Sequence, residues 1–367
     1  MTLEVSEDRL SRARRVFSDE LADSIAHVHV TGVSGEAEVG KTTLVREALR
    51  RESALQPLIL DLDAAYSPNQ LIWQWARSLA RPLMHDDIAY SHIVSLPESM
   101  WPASTRAQLA RLGDQLGPDI SRLVEQPHPD HGSGALDLIN ELMYATITSS
   151  HERTVVLVFD HLESPSLSFR HPLDVSDLLW RVRSASQQAV DLRVVLVARP
   201  PAVDLAAGPD AAFYGDGQWL KVGRPLPDEF SAATDQPIDR VADVVRYTAG
   251  HIQTTLELLR RSSQRPRRTL EAIAAELSAE QRTLTDRILQ HARSLHRLGS
   301  HLVYEIAHGH GPYEATPDAS SKDVSQAMRQ LHLAGIVRRP DGGQSDWELT
   351  DPRVVWRLTG LLVPLQP

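Results

Sequence analysis

The sequence has no cysteine, only 5% aromatic residues and no long apolar run. The lack of cysteine excludes disulfides, cysteine-ligated zinc and thiol catalysis. The longest apolar runs, TVVLVF at 154–159 and VVLVA at 194–198, are far shorter than the about 18 to 20 residues that a membrane helix needs. The charged N-terminal segment lacks the apolar stretch of a secretory signal. We therefore expect a cytoplasmic protein without membrane contact.

Basic residues are outnumbered by acidic ones, 38 to 48, which gives the 367 residues a formal net charge of −10. This balance argues against a general nucleic-acid coat protein and confines any DNA contact to a local basic region. With 42% hydrophobic residues, the chain can bury a sizeable core, and its length indicates about two to three domains. The histidine pairs at 27–29 and 308–310 lack the further ligands that a metal site requires.

What is present is a phosphate-binding pattern. The segment GEAEVGKT at 35–42 fits G-x-x-x-x-G-K-[ST], with an apolar strand, AHVHVTGV, before it and an amphipathic helix, KTTLVREALRR, after it. In such a loop, backbone N–H groups and the helix N-terminus hold phosphate. We expect Lys41 to reach the β and γ phosphates, Thr42 to ligate magnesium and Thr43 to lie near the α phosphate. The predicted nucleotide-binding residues are Gly35, Glu36, Ala37, Glu38, Val39, Gly40, Lys41, Thr42 and Thr43.

Strands and helices alternate along the chain, which predicts an α/β fold with a parallel sheet. Further strands are predicted at PLILDLD, TVVLVFD, LRVVLVA and GQWLKV, and a packed helix at LIWQWARSLARPL. Two helices meeting at Gly250 form a small helical subdomain. Helix, helix and a hairpin around Asp-Gly-Gly then predict a C-terminal winged helix. The expected divisions are a P-loop core at 1–232, the helical subdomain with a basic linker at 233–280, and the winged helix at 281–367.

Hydrolysis needs groups beyond the loop. Asp160, at the end of TVVLVFD, is expected to hold magnesium together with Thr42. Glu163 is our candidate for orienting the attacking water, the alternative being a surface glutamate. His161 could polarise that water when neutral, and Lys41 would assist. Arg199 follows a strand at the carboxyl edge of the sheet, where ligands bind, and could sense the γ phosphate unless it only pairs with a surface acid.

The C-terminal helix SSKDVSQAMRQLHLAG could read DNA. Its Val324, Met328 and Leu331 are predicted to face inward. Asp323 and the acidic SDWELTD segment oppose contact with phosphate. The candidate DNA-binding residues are Lys322, Ser325, Gln326 and Arg329 on the helix, with Arg338 and Arg339 of the wing on phosphates.

Taken in order, GEAEVGKTTL, VVLVFDHLE, VVLVARP, YTAGHIQTTLELL and WELTDPRVVWRL resemble the STAND-type and archaeal-ATPase-like P-loop ATPases, which are related to AAA+ origin-recognition proteins. The resemblance spans about residues 28–358. It implies ATP or ADP with Mg²⁺ as cofactors, a sensor arginine matched by Arg199, and a helical lid with a Gly-x-Pro motif. Here that motif reads Gly250, His251, Ile252, without the proline. An acid often follows the magnesium aspartate, and His161 in its place predicts slow hydrolysis. An N-terminal arginine signature is not clear.

Three functions remain open. The first is a slowly hydrolysing switch whose nucleotide state controls self-assembly, as a homo-oligomer, or engagement of a protein partner. The second is a DNA-binding ATPase of the initiator or transposition-adaptor type. The third is a scaffold that nucleotide only stabilises. Arg181, Arg183 and Arg193 are candidates for an arginine that acts in trans on a neighbouring subunit.

The predicted phosphate loop contains two glutamates, Glu36 and Glu38, whose negative charge would repel a bound phosphate. Because backbone N–H groups and Lys41 bind the phosphate, side chains at variable positions can point away from it. We expect Glu36 to face solvent. We expect Glu38, where related loops commonly have glycine, to face a subunit boundary or a basic residue of the same chain.

Overall fold

The structure is a computed structural model that describes residues 9–10, 12–63, 68–80, 135–149, 154–163, 175–280, 282–339 and 347–360. The predicted Asp-Gly-Gly turn and most of the helical region predicted at 68–150 lie outside these residues.

The core domain is built from five strands and the helices that flank them. The strands are β1 (Val30–Ser34), β2 (Leu55–Asp61), β3 (Thr154–Asp160), β4 (Leu192–Ala198) and β5 (Gln218–Lys221). The helices are α1 (Arg15–His27), α2 (Lys41–Arg51), α3 (Pro68–Ala80), α4 (Ala135–Ser149), α5 (Val175–Gln188) and α6 (Pro200–Ala207). The first strand begins at Val30 rather than at Ala26 as predicted, because α1 extends to His27.

All five strands lie in one parallel sheet with the order β2-β3-β4-β1-β5. This confirms the predicted α/β class with a parallel sheet. The register pairs Asp61 with Asp160 and Ser34 with both Ala198 and Lys221. The carboxyl ends of all five strands therefore meet at one edge, where the predicted nucleotide residues also lie.

The sheet is buried on both faces, which explains its continuous apolar runs. In β3, Val155, Leu157 and Phe159 pack with α3, α4 and α5, whereas Val156 and Val158 pack with α1 and α2. The predicted packed face of α3 is confirmed, because Leu71, Trp75 and Leu79 are buried.

The helical subdomain comprises α7 (Pro227–Thr234), α8 (Ile238–Thr248), α9 (Ile252–Gln264) and α10 (Leu270–Glu280). Ala249 and Gly250, both with positive φ, separate α8 from α9, as the two-helix prediction required. Phe230 of α7 belongs to the core of this subdomain. The predicted boundary at 232 therefore falls inside a helix. Leu10 and Trp356 share the same core, so both ends of the described chain reach this unit.

The C-terminal unit comprises α11 (Arg282–Leu295), α12 (Gly299–Ala307), α13 (Ser321–Leu333), β6 (Val337–Arg338), β7 (Glu348–Leu349) and α14 (Pro352–Thr359). β6 and β7 are antiparallel. Val324, Met328 and Leu331 of α13 are buried in its core, as predicted. The winged-helix assignment stays a prediction.

Candidate nucleotide site

The loop between β1 and α2 has the geometry of a phosphate cradle. Gly40 precedes α2 with φ of 84°, a conformation that glycine adopts without steric penalty. Lys41 Nζ donates to the carbonyl oxygens of Gly35 and Glu36, both at 2.8 Å. Burial lowers the pKa of Lys41 to about 8, although the nearby Glu163 and Asp160 carboxylates oppose the shift. The ammonium thus lies inside the loop that would hold the phosphates.

Thr42 and Asp160 lie together, as their predicted shared role requires. Thr42 Oγ1 donates to Asp160 Oδ1 at 3.1 Å, and Asp160 is only 1% exposed. Burial raises the pKa of Asp160, so a nearby cation would stabilise its charged form. A hydroxyl and a carboxylate are hard oxygen donors of the kind that Mg²⁺ takes. Thr42 and Asp160 therefore fit Mg²⁺, and a bound Mg²⁺ would neutralise part of the phosphate charge.

His161 is held by an acid that sequence reasoning missed. Its Nδ1 lies 3.1 Å from Asp61 Oδ1, and its backbone N–H donates to Asp160 Oδ1 at 3.1 Å. The hydrogen bond to Asp61 raises the pKa of His161 despite partial burial. This favours the charged ring over the neutral one expected to polarise water. Asp61 could have been found, because PLILDLD also ends a strand in acid.

Glu163 and Arg199 contact each other. Glu163 is buried, its Oε2 accepts from the Arg199 backbone N–H at 2.9 Å, and its Oε1 lies 3.1 Å from Arg199 Nε. The alternative of a surface glutamate is therefore wrong. Arg199 also donates from Nη1 to the carbonyl oxygen of Leu333 in α13. The candidate sensor thus joins the candidate water-orienting carboxylate to the C-terminal unit.

A cavity of about 210 Å³ adjoins the loop. It is lined by Leu10, Arg14, Glu38, Val39, Gly40, Thr43, Leu44, Ile252 and Gln253. Core, N-terminal segment and lid therefore all contribute to its wall, which combines apolar side chains with the polar Arg14, Glu38, Thr43 and Gln253.

Arg14 is the second residue that sequence reasoning missed. Its Nη1 and Nη2 donate to the carbonyl oxygens of Val39 and Gly223, each at 2.9 Å, and its Nε lies 3.3 Å from Glu229 Oε1. Arg14 thus joins the phosphate loop to the segment that follows β5. The only signal was the arginine cluster SRARR, in which nothing distinguishes one arginine from another.

Glu38 pairs with a histidine of the helical lid. His251 Nε2 lies 2.9 Å from Glu38 Oε2, and His251 Nδ1 accepts from the Thr254 N–H at 3.3 Å. Since Nδ1 accepts, Nε2 carries the proton and donates to Glu38 even in the neutral ring. The expectation of a basic residue of the same chain is confirmed. Although the Gly-x-Pro proline is missing, the lid contacts the loop.

Glu36 does not face solvent as expected. Its carboxylate is 18% exposed, and Oε2 lies 3.2 Å from His332 Nε2 in α13. The reason is that the C-terminal end of α13 packs beside the loop, a contact between residues 296 positions apart.

The candidate DNA-binding residues divide into two groups. Lys322, Ser325, Gln326 and Arg329 are exposed on α13, as expected. Arg338 is wrong as a phosphate contact, because it is 8% exposed and pairs with Glu348, its partner across β6 and β7, at 2.7 Å. Arg339 is exposed and lies over the Trp347 ring, 4.6 Å from its centroid.

The three candidate trans-acting arginines all have partners within the chain. Arg181 donates to Asn140 Oδ1 at 2.7 Å, Arg183 pairs with Asp216 at 2.8 Å, and Arg193 donates to the Val190 carbonyl oxygen at 2.6 Å. None of them is favoured over the others by these contacts. Within the part of the chain that the structure describes, every helix is too short or too polar to cross a bilayer.

Solved structures with a similar fold span nearly the whole chain. A Walker-type ATPase of Pyrococcus abyssi has a TM-score of 0.56 at 16% identity, with 94% of this chain and 95% of that one covered. The ORC1 protein of Aeropyrum pernix, solved in complex with DNA, has a TM-score of 0.50 at 15% identity, with 95% and 92% covered. The ORC2 protein of the same organism, solved as ADPNP and ADP complexes, has a TM-score of 0.50 at 12% identity, with 95% and 93% covered.

No protein-family model matches the chain, and no curated protein matches it either. Identities of 12 to 16% establish a shared fold and no more. The chain therefore has the P-loop ATPase fold of archaeal Walker-type and origin-recognition proteins.

Proposed function

We propose that the chain is a cytoplasmic ATP-binding switch of the AAA+ and STAND type that hydrolyses ATP slowly. Its cofactors are ATP or ADP with Mg²⁺. Its nucleotide state controls self-assembly or engagement of a protein partner through the lid and the C-terminal unit.

One observation carries this proposal: the phosphate loop and the sensor contact the same turn of α13. Glu36 of the loop lies beside His332, and Arg199 donates to the carbonyl oxygen of Leu333. A γ phosphate would compete for Arg199 and rearrange the loop. Both changes act on one end of α13, so a ligand that favours one arrangement shifts the position of the C-terminal unit.

The lid provides a second link. Glu38 accepts from His251 at the start of α9, and Ile252 lines the cavity beside the loop. A nucleotide base in this cavity would touch core and lid at once. Its binding energy could therefore hold the two units together.

The contacts of the catalytic candidates support slow hydrolysis. Glu163 is engaged by both the backbone and the side chain of Arg199. It can orient water only after Arg199 turns to the phosphate. His161 is held by Asp61 and does not replace the missing second acid.

The test is light scattering after size exclusion with ATP, ADP or neither. We expect the molecular mass to depend on nucleotide in the parent and not in Lys41→Ala. Arg287→Ala, an exposed change in α11, is the matched control. If ATP binds but the molecular mass does not change, nucleotide only stabilises the fold. If Lys41→Ala binds ATP as well as the parent, the phosphate site itself is wrong.

A DNA-binding ATPase is the second candidate. Lys322, Gln326 and Arg329 form an exposed polar face on α13, and the A. pernix ORC1 structure contains DNA. We expect a salt-dependent mobility shift of duplex DNA that weakens in Lys322→Ala and Arg329→Ala. Absence of binding at low salt would remove this candidate.

A further inference from the structure

A second cavity, of about 720 Å³, lies between the core and the C-terminal unit. We call it the interdomain cleft. Its volume is within the range of ligand pockets, about 300 to 1,000 Å³. The cations along its walls are Lys221 and Arg224 of the core and Arg329, Arg338 and Arg339 of the C-terminal unit.

Among the described residues that line the cleft, cations outnumber acids. The acids in its lining are Glu36 and Asp204, and Glu36 already lies beside His332. Glu348 offsets Arg338. Arg224, in contrast, donates to the carbonyl oxygens of Ala249 and Thr350, at 2.7 and 3.3 Å, and within the described part of the chain it pairs with no carboxylate.

Two buried donors in the cleft lack acceptors. Among the described residues, Nε of Arg224 and Nε of Arg338 are buried and make no hydrogen bond. Arg338 as a whole is more than nine-tenths buried. A buried N–H without an acceptor is unfavourable, and more so when it belongs to a charged group. An anion in the cleft would offset the positive charge of these side chains, above all that of Arg224, which has no carboxylate partner among the described residues.

The two guanidinium groups also repel each other. Burial lowers the pKa of Arg224 to about 10, and the charge of Arg338 adds to the shift. The carboxylates of Glu348, Glu36 and Glu38 oppose this lowering of the pKa, and an anion beside Arg224 would oppose it further.

We propose that the interdomain cleft binds a small phosphorylated ligand of nucleotide size. Its described lining includes Glu36 and Val39 of the phosphate loop, but not Lys41, Thr42 or Asp160. Arg224 and Lys221 would contact it from the core, and Arg329 from α13. Tyr313 and Trp347 add aromatic surface beside the cations. A ligand that bridges both units would hold the C-terminal unit against the core. The site shares Glu36 and His332 with the switch proposed above, but it does not depend on that proposal.

Isothermal titration of the full chain tests this site. In a Lys41→Ala background, which disables the loop, we expect ATP and tripolyphosphate each to bind with a stoichiometry of one. Adding Arg329→Ala should weaken both by about tenfold, as expected for one lost charge-assisted contact. Adding Arg287→Ala, an exposed change in the same unit, should leave both unchanged.

Other outcomes overturn the proposal. One is no heat of binding for either probe in the Lys41→Ala background, which would leave the loop assignment intact. Another is binding that Arg329→Ala and Arg287→Ala reduce equally, which would indicate a general charge effect. If Arg329→Ala weakens only the binding of duplex DNA, the cleft arginine belongs to a DNA surface.

Discussion

At the scale of single residues, Glu36 and Glu38 explain how a phosphate loop carries two acids. Each carboxylate is directed to a histidine of a later unit, His332 for Glu36 and His251 for Glu38. Neither needs to lie where backbone N–H groups and Lys41 would meet the phosphates. The variable positions of the loop therefore serve as contacts to the lid and the C-terminal unit.

Glu38→Gly tests whether this side chain is needed for binding. Glu38 has φ of 58°, which is unfavourable by about 1 to 2 kcal/mol for a residue with Cβ. We expect the dissociation constant of ATP, measured by titration calorimetry, to stay within about threefold of the parent value. Glu38→Ala loses the same carboxylate but keeps the strain, so it should unfold more easily than Glu38→Gly. A large loss of ATP affinity in Glu38→Gly would mean that the carboxylate acts at the phosphate.

The Glu38–His251 contact should depend on pH. Burial alone would raise the pKa of Glu38, but the hydrogen bond and the charge of His251, together with the charge of Arg353, outweigh it and lower the pKa. The folded pKa lies below the unfolded one. The contribution to stability is therefore complete above the unfolded pKa and is lost as pH falls through the folded pKa.

The measurement is thermal unfolding of the parent and of Glu38→Gln between pH 7 and pH 3. The melting temperature of the parent should exceed that of the variant at pH 7, and the difference should shrink in the acid range. Glu20→Gln, at an exposed position of α1, is the control of equal charge change. A difference that grows towards low pH would contradict the assignment.

At the scale of elements, the sheet was predictable because each strand carries its own signal. β-Branched runs such as TVVLVF are required by strands buried on both faces. The short helix α14 was not predicted, although its start is marked by Asp351 and Pro352. Asp351 accepts from the Arg353 N–H at 2.9 Å. Local capping signals of this kind are weak, because they occur in turns as well.

Gly32 in β1 is a position where sheet packing leaves no room for a side chain. A Cβ there would lie 2.1 Å from Trp219 of β5, its neighbour in register. Gly32→Ala should lower the stability by about 1 to 3 kcal/mol through overpacking. At Gly223, among the described residues, no atom lies within 4 Å of an added Cβ. Urea denaturation should show a smaller loss for Gly223→Ala, and equal losses would refute the packing argument.

At the scale of the whole molecule, sequence reasoning placed the candidate site at the carboxyl edge of the sheet but did not find what packs against it. Thr42 and Asp160 could be paired because both follow strands of one sheet. The contact between Glu36 and His332 could not be predicted from the sequence, because neither hydrophobic periodicity nor a motif indicates which face of α13 packs against the core. Arg14 was missed for the same reason: a buried arginine that donates to loop carbonyls leaves no pattern in the sequence.

The contact of α13 with the core should couple nucleotide to the C-terminal unit. Removing the imidazole in His332→Ala leaves Glu36 without its partner. We expect faster amide hydrogen exchange in residues 321–333 without nucleotide, and a smaller further change when ATP is added. Gly335→Ala should act in the same direction. Its Cβ would lie 2.6 Å from Arg199 Cζ and displace the guanidinium from Leu333 without removing its charge.

A double-mutant cycle separates this coupling from general loosening. If Glu36 and His332 act through each other, the exchange free energy of Glu36→Gln with His332→Ala should fall short of the sum of the singles by about 0.5 kcal/mol or more. His291→Ala, an exposed change in α11, should be additive with Glu36→Gln. Additivity for both pairs would show that the loop and α13 are neighbours without energetic coupling. Any effect of His332→Ala would then not arise from Glu36, and the switch would have to operate through Arg199.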